Sequence, residues 1–247
     1  MNKIKENIEK IQQQINQACQ ASGVKNEQEC TSLSKNRQNP VTLLAVSKTK
    51  PASAVEQAYL AGQRNFGENY LQEAVDKIAQ LSHLSELCWH FIGPIQSNKT
   101  KQIAKNFSWV HSVDRAKVAT RLNTHFNEYL GEVNHTNYCQ DSALNICLQV
   151  NISEEPSKSG VMADELFSLA EVVNNCDKLI LRGLMAIPEK NTSVASYEKM
   201  QYLFNKLQAQ YPTVDTLSLG MSNDLSIAIA HGSTMVRVGR AIFGERN

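Results

Sequence analysis

The chain has 247 residues, of which 42% are hydrophobic and 20% charged, and its formal net charge is +1. These values are ordinary for a globular protein with one large domain or two small ones. A net charge this close to zero gives no reason to expect nucleic acid or an anionic membrane as a partner. The polar start and the lack of an apolar run of about 18 residues predict neither a signal peptide nor a membrane span, so we expect a cytoplasmic protein.

The six cysteines are scattered along the chain without a Cys-x-x-Cys pair. In a chain without an export signal, we expect them to be reduced and structural. Because no close pair of cysteine and histidine residues has the spacing of metal ligands, the sequence predicts no metal site.

The first predicted element is an amphipathic helix over residues 1–24, which Gly23 can end. Residues 25–41 are polar and predict a loop, and residues 42–247 predict the main body of one domain. The helix stripe consists of Ile4, Ile8, Ile11, Ile15 and Ala18.

Eight apolar runs alternate with helical patterns after residue 41. One of these helices is predicted to begin with a capping box at Ser53 and Glu56. Eight strand–helix repeats in this length favour a closed (β/α)8 TIM barrel over an open doubly wound sheet. The predicted strands are Thr42–Thr49, Asn65–Glu68, Trp89–Gly93, Trp109–Val113, Asn145–Ile152, Leu181–Ile187, Thr216–Gly220 and Met235–Phe243.

Lys48 lies at the end of the first predicted strand, in the segment LLAVSKTKP. In an extended strand it shares a face with Leu44 and Val46, which are typical core residues. A desolvated lysine has a lowered pKa, and its neutral amine can attack a carbonyl, so this position suggests Schiff-base chemistry. The alternative is a lysine just beyond the strand that points into water. Other candidates at strand ends are Asn69, His90, Asn151 and Met185.

A second group of candidates lies in the last third of the chain. Gly220 and Ser222 leave the seventh strand and open a helix, and Gly239 and Arg240 follow the eighth. TIM barrels often bind phosphate between these two loops, where glycine lets the backbone approach an anion. The alternative is that Ser222 or Asp224 only caps the helix.

Arg237 is flanked by two valines in the last strand. Arginine stays protonated, so a pyridine nitrogen that faced it would accept a hydrogen bond and remain unprotonated. An aldehyde-binding lysine opposite a phosphate site and such an arginine would suit pyridoxal phosphate (PLP). The alternative for Arg237 is a surface position, or an ion pair with Asp224 or Glu245.

Seven motifs together resemble one known family. They read LLAVSKTKP, FGENYLQEAVDK, WHFIGPIQSNK, QVNISEEPSKSG, LRGLMAIP, LSLGMSNDL and GSTMVRVGRAIFG. The chain resembles the pyridoxal phosphate homeostasis proteins, the YggS/PROSC family of PLP-binding proteins. The resemblance implies a single TIM barrel similar to the N-terminal domain of alanine racemase, with an extra N-terminal helix.

The resemblance also implies roles for particular residues. Lys48 matches the lysine that holds PLP as a Schiff base, and Arg237 matches the arginine at the ring nitrogen. Ser222 and the backbone of Gly239 and Arg240 match the phosphate site, although Arg240 replaces what is often a small residue. Asn69 and His90 fall in family motifs near the pocket. Lys158 either assists cofactor exchange or is an exposed loop lysine.

The resemblance implies a carrier that holds PLP, releases it or transfers it to apo-enzymes, without catalysis of its own. The first alternative is a PLP-dependent racemase, which needs a base on each face of its substrate. No tyrosine is predicted at a strand end facing the pocket, and Tyr70 comes closest. The second alternative is a sugar-phosphate enzyme with Lys48 as an aldolase-type amine, which the Arg237 pattern opposes. We also expect a monomer, since no exposed apolar stripe is evident.

Overall fold

A computed structural model of the chain describes residues 3–23, 41–132, 142–153, 155, 158–189 and 193–245. The predicted loop over 25–41 lies outside these ranges, except for Val41. Cys30 and Cys139 also lie outside them. The four cysteines within them carry free thiols, as expected.

Parallel strands form a closed barrel, in which each strand pairs with the next one along the chain and β8 pairs with β1. The predicted eight-stranded TIM barrel is therefore confirmed. The strands are β1 Thr42–Val46, β2 Asn65–Glu68, β3 Cys88–Phe91, β4 Trp109–Val113, β5 Leu144–Gln149, β6 Leu179–Met185, β7 Thr216–Ser218 and β8 Met235–Val238.

Helices connect the strands, and a 3-10 turn at Ser97–Lys99 precedes α4. The N-terminal helix packs against α2, α8 and α9 through the predicted apolar stripe. The helices are α1 Lys3–Ala21, α2 Ala52–Leu60, α3 Leu71–Gln80, α4 Thr100–Asn106, α5 Ala116–Glu132, α6 Leu166–Asn174, α7 Val194–Gln210, α8 Leu225–Ala230 and α9 Arg240–Phe243.

Several predicted boundaries are wrong, since six of the eight strands end before the predicted residue. The capping box at Ser53 and Glu56 does not form, because α2 begins at Ala52 directly after Pro51. Proline suits this position, since its fixed φ is compatible with a helix start and its missing N–H needs no partner. The last strand was predicted to continue to Phe243, but it ends at Val238, and a short helix begins at Arg240.

Alternate residues of each strand face the barrel interior, as the two-residue period of a strand requires. Leu44 of β1 and Met235 of β8 pack together inside, whereas Leu43 and Val236 join the larger core beneath the helices. Polar side chains of β3, β4, β7 and β8 share the interior with these apolar groups: His90, His111, Ser218 and Arg237. The interior is therefore partly polar, with hydrogen-bonded groups close to the barrel mouth.

Within the described ranges, none of the helices combines the length and the apolar character needed to cross a lipid bilayer.

Candidate functional site at the barrel mouth

A cavity of about 610 Å³ lies at the carboxyl ends of the strands, the end of a TIM barrel where active sites lie. Residues that follow β1, β2, β7 and β8 contribute to its wall. Six of the seven residues predicted for the cofactor site line this cavity: Lys48, Asn69, Ser222, Arg237, Gly239 and Arg240. The seventh, His90, does not.

Lys48 is half-buried and lies in a turn that begins where β1 ends. The preceding residue, Ser47, is fully buried, and its hydroxyl donates to Glu68 Oε1 at 2.7 Å. The Ser47 carbonyl accepts a hydrogen bond of 2.7 Å from Lys77 Nζ. Lys77 Nζ also lies 2.5 Å from Glu68 Oε1. One buried ion pair thus holds the chain immediately before Lys48.

Thr49, the residue after Lys48, is held by α3, the helix that also carries Lys77. Thr49 adopts φ +65, a left-handed conformation that is costly for a β-branched residue. Its backbone N–H donates to Glu73 Oε1 at 2.6 Å, and Glu73 Oε1 lies 2.7 Å from Lys77 Nζ. The carboxylates of Glu68 and Glu73, joined by Lys77, therefore fix the turn on both sides of Lys48. We call Glu68, Glu73 and Lys77 the charged clamp.

Two members of the charged clamp, Glu68 and Lys77, are buried so deeply that each charge depends on the other. The side chains of Lys77 and Glu68 are 4% and 0% exposed. Burial raises the pKa of the Glu68 carboxyl, and the neighbouring Lys77 ammonium opposes that rise. Glu68 Oε2 has no hydrogen-bond partner among the described residues. A charge buried in this way is stable only while its partner remains.

Arg237 projects from β8 into the barrel and is 5% exposed. Its Nη1 donates to the Ser218 carbonyl at 2.5 Å and to the Ser218 hydroxyl at 2.7 Å. Its Nη2 donates to the Ala186 carbonyl at 2.6 Å. These partners are uncharged, so neither Asp224 nor Glu245 forms the ion pair considered from the sequence. Burial lowers the pKa of Arg237 to about 10, which leaves it protonated at neutral pH.

The loop between β7 and α8 forms the edge of the cavity beside Arg237. Gly220 has φ +94, and Ser222 is exposed on the loop. Asp224 Oδ1 accepts a hydrogen bond of 2.7 Å from the Met221 N–H, and Asp224 Oδ2 accepts one of 2.9 Å from the Tyr197 hydroxyl. Asp224 therefore holds the loop: it occupies the N-cap position of α8, but its carboxylate bonds to Met221 and Tyr197 and makes no capping hydrogen bond to the helix.

Gly239 and Arg240 form the opposite side of this edge. A Cβ at Gly239 would lie 3.0 Å from the Val46 carbonyl oxygen, so glycine allows the ends of β1 and β8 to approach closely. Arg240 is the first residue of α9. Its side chain is 64% exposed and lies 3.9 Å from Glu245, so its charge points toward solvent.

His90 was predicted at a strand end, but it lies inside β3 and is fully buried. Its ring stacks on Trp109 and lies within hydrogen-bond distance of His111 and Asn65. Burial lowers its pKa to about 3, so the ring is neutral. His90 therefore faces the barrel interior and does not line the cavity, so its predicted contact with the ligand stays a prediction.

A second cavity of about 660 Å³ adjoins the first and shares Asn69 with it. Asn151 and Lys158 line this second cavity. Lys158 Nζ lies 2.7 Å from Glu189 Oε1 and 3.0 Å from Glu155 Oε1, so it is ion-paired at the rim. Met185, the remaining strand-end candidate, packs in the barrel interior.

Comparison with known proteins supports the resemblance seen in the motifs. The family model described as the alanine racemase N-terminal domain matches residues 25–247. The pyridoxal phosphate homeostasis protein of Haemophilus influenzae is 48% identical over 99% of this chain and 96% of its own. That of Escherichia coli K12 is 46% identical over 100% of this chain and 98% of its own. The chain belongs to the pyridoxal phosphate homeostasis protein family.

Solved structures agree with this family membership. PipY of Synechococcus elongatus, solved with PLP bound, is 36% identical and has a TM-score of 0.73 over 86% of this chain and 97% of its own. An alanine racemase of Clostridium difficile is 11% identical, with a TM-score of 0.66 over 86% of this chain and 55% of its own. At that identity the racemase supports the fold alone.

Several residues at the barrel mouth of this chain, or buried beside and beneath it, were missed by sequence reasoning. Tyr197 of α7 lines the cavity, whereas Tyr70, which was expected to come closest, is 50% exposed. The clamp residues Glu68 and Lys77 were also missed, as was His111. Glu68 could have been found as a charged residue that ends an apolar strand, the same signal that singled out Lys48.

Proposed function

We propose that this protein binds PLP reversibly at the barrel mouth and acts in its homeostasis. One observation carries the proposal: Lys48, Arg237 and the glycine-rich edge at Ser222 and Gly239 line one cavity. The PLP-bound relative PipY and the family name of the close relatives support it.

The residues present suit the cofactor. A volume of about 610 Å³ lies within the usual range for sites that hold small molecules, roughly 300–1,000 Å³. The edge formed by Gly220, Ser222 and Gly239 offers a hydroxyl and closely spaced backbone to a phosphate. Arg237 offers N–H donors, three of which are used by Ser218 and Ala186, to a ring nitrogen in the cavity.

PLP supplies an aldehyde that condenses reversibly with a primary amine. Lys48 is the amine at this site, and the charged clamp holds its turn. Ser222, with the backbone at Gly239 and Arg240, would hold the phosphate. Arg237 remains protonated and would donate to the ring nitrogen; a nitrogen held in this way would stay unprotonated, and the ring would be a weak electron sink. Such a site suits storage better than catalysis.

Tyr197 argues against a racemase. A racemase needs a second base on the opposite face of the substrate. Tyr197 is the tyrosine at this cavity among the described residues, but its hydroxyl donates to Asp224 Oδ2 at 2.9 Å. Burial and that hydrogen bond raise the pKa of Tyr197. It therefore stays protonated at neutral pH and cannot accept a proton.

The same proposal extends to the protein's surroundings. We infer that its partners are apo-forms of PLP-dependent enzymes, which receive the cofactor from a monomeric carrier in the cytoplasm. The exposed rim of the cavity, at Ser222 and Arg240, gives the cofactor a path to solvent or to such a partner.

Replacement of Lys48 tests the proposal directly. Lys48→Ala should abolish the visible absorbance of lysine-bound PLP, whereas Lys101→Ala, an exposed lysine on α4, should leave it unchanged. Wild-type protein loaded with PLP should restore the activity of an apo-enzyme, and incubation with D- or L-amino acids should give no turnover. Full absorbance in Lys48→Ala would contradict the role of Lys48. Sustained racemisation or transamination by the wild type would contradict the carrier function.

A further inference from the structure

A chain of hydrogen bonds runs through the barrel interior beneath the cavity. It begins at Arg237 Nη1, which donates to the Ser218 hydroxyl at 2.7 Å. Ser218 Oγ lies 3.1 Å from His111 Nδ1, and His111 Nε2 lies 2.9 Å from His90 Nδ1. His90 Nε2 lies 3.1 Å from Asn65 Oδ1, at the first residue of β2. Polar side chains of five strands thus form one continuous series.

The direction of each bond follows from the groups at the two ends. Asn65 Oδ1 can only accept, so His90 carries its proton on Nε2. A neutral His90 then accepts at Nδ1, which requires a proton on His111 Nε2. His111 Nδ1 is left as an acceptor, and it accepts a hydrogen bond from the Ser218 hydroxyl. The lone pairs of Ser218 Oγ are thereby turned toward Arg237.

Both rings are held in the neutral state that this direction requires. His90 and His111 are fully buried. Burial lowers the pKa of His111 well below its usual value, and the positive charge of Arg237 acts in the same direction. Trp109 stacks on His90 with ring centroids 5.3 Å apart, which limits rotation of that ring.

This series of hydrogen bonds is not suited to moving protons. A proton relay needs an acid or base at its ends, but one end is an asparagine amide and the other an arginine that stays charged. What the chain can do is orient dipoles, because hydrogen bonds in series polarise one another in a low-dielectric interior. The group that benefits is Arg237, whose described hydrogen-bond partners are all uncharged oxygens.

We propose that His111 is a positioning residue for Arg237: through Ser218 it holds the guanidinium in the orientation that faces a ligand in the cavity, and His90 and Asn65 fix its tautomer. This inference deepens the proposed function and rests on it for the identity of the ligand. Without His111, the Ser218 hydroxyl loses its acceptor and is free to turn its proton toward Arg237. The guanidinium then loses one of its fixed oxygen partners.

The first test needs no cofactor. In nitrogen-15 NMR of the full chain, His90 and His111 should both be neutral with the proton on Nε2. The two Nη groups of Arg237 should give separate resonances, since three oxygens restrict their rotation. A proton on His111 Nδ1 would overturn the proposal, because the Ser218 hydroxyl would then have no acceptor there.

The second test uses matched variants. His111→Phe should merge or shift the Arg237 Nη resonances and speed PLP dissociation by about two- to tenfold, the effect of one neutral hydrogen bond. His111→Asn, which can keep an acceptor near the Nδ1 position, should restore much of both. Met185→Leu alters the same interior beside Trp109 but replaces no member of the hydrogen-bond series, so it should change neither.

The outcomes separate this inference from the proposed function. If wild-type protein fails to bind PLP, the proposed function fails. The Arg237 resonances still test the series of hydrogen bonds from Arg237 to Asn65, because that measurement needs no cofactor. If His111→Phe leaves both the Arg237 resonances and the dissociation rate unchanged, the positioning role is overturned. Should His111→Phe not fold, Ser218→Ala cuts the chain one bond closer to Arg237 and must reproduce both effects.

Discussion

The turn that carries Lys48 and the interior beneath Arg237 use opposite means to hold a cationic side chain. The turn is fixed by charges, since Lys77 joins Glu68 and Glu73 around it. Arg237 is fixed by neutral oxygens and by a chain of uncharged rings. A charged clamp is strong but depends on every member keeping its partner, whereas a neutral chain is weaker in each bond and selects orientation.

The two regions should also respond to acid in opposite directions. Glu68 has a raised pKa in the folded state, so its contribution to stability grows as pH falls through that pKa toward the unfolded value. His90 and His111 have lowered pKa values, so they must take up protons on unfolding below about pH 6.5. Their contribution to stability is lost as pH falls. The change in the free energy of unfolding as pH falls therefore reports the balance between these two contributions.

Breaking the charged clamp should have the largest effect. Lys77→Met leaves the Glu68 carboxylate buried without its partner, and the free energy of unfolding should fall by about 3–5 kcal/mol. Urea unfolding monitored by circular dichroism measures this change. The matched control is the double variant Glu68→Gln with Lys77→Met, which removes both charges and should be more stable than the single variant. Equal losses in the two would mean that packing, not charge, is what Lys77 supplies.

Acid unfolding should separate the two regions next. Between about pH 6.5 and pH 4, each buried neutral histidine should lower the free energy of unfolding by up to about 1.4 kcal/mol per pH unit. His111→Phe should make this slope shallower, because one fewer proton is taken up on unfolding. Glu68→Gln should make it steeper, because a group that opposes the loss is removed. Identical slopes in wild type and His111→Phe would show that His111 is not buried in the neutral form.

Sequence reasoning succeeded where a residue contradicted its local pattern. Lys48 and Arg237 were singled out because one ends an apolar run and the other interrupts one, which places a charge where burial is expected. The strands themselves were found because strands of a parallel barrel are buried on both faces and read as apolar runs. Most of the strands were predicted to extend too far at their carboxyl ends, as for β8. The reason is that the first loop residues at the barrel mouth are still apolar and cannot be told from strand residues.

The supporting residues could not be found in the same way. On α3, Lys77 follows Glu73 by four residues and resembles an ordinary surface pair. Its burial depends on Glu68, which comes from a different element, and on the Ser47 carbonyl. His111 lies in the strand segment WVHSV, where nothing in the local sequence indicates that His90 and Ser218 lie beside it. Contacts between residues of different strands form only when the barrel closes, so they cannot be predicted from any single segment.

The smallest expected effect concerns the backbone strain at Thr49. Thr49→Gly should raise the free energy of unfolding by about 1 kcal/mol, because glycine adopts a positive φ without the steric cost of a Cβ. Thr49→Ala keeps the Cβ and should give little gain in unfolding experiments. The glycine variant should nevertheless release PLP faster than wild type, since the turn around Lys48 gains alternative conformations. If Thr49→Gly is more stable than wild type and releases PLP at the same rate, the contacts of Glu68 and Lys77 with Ser47 are enough to hold Lys48.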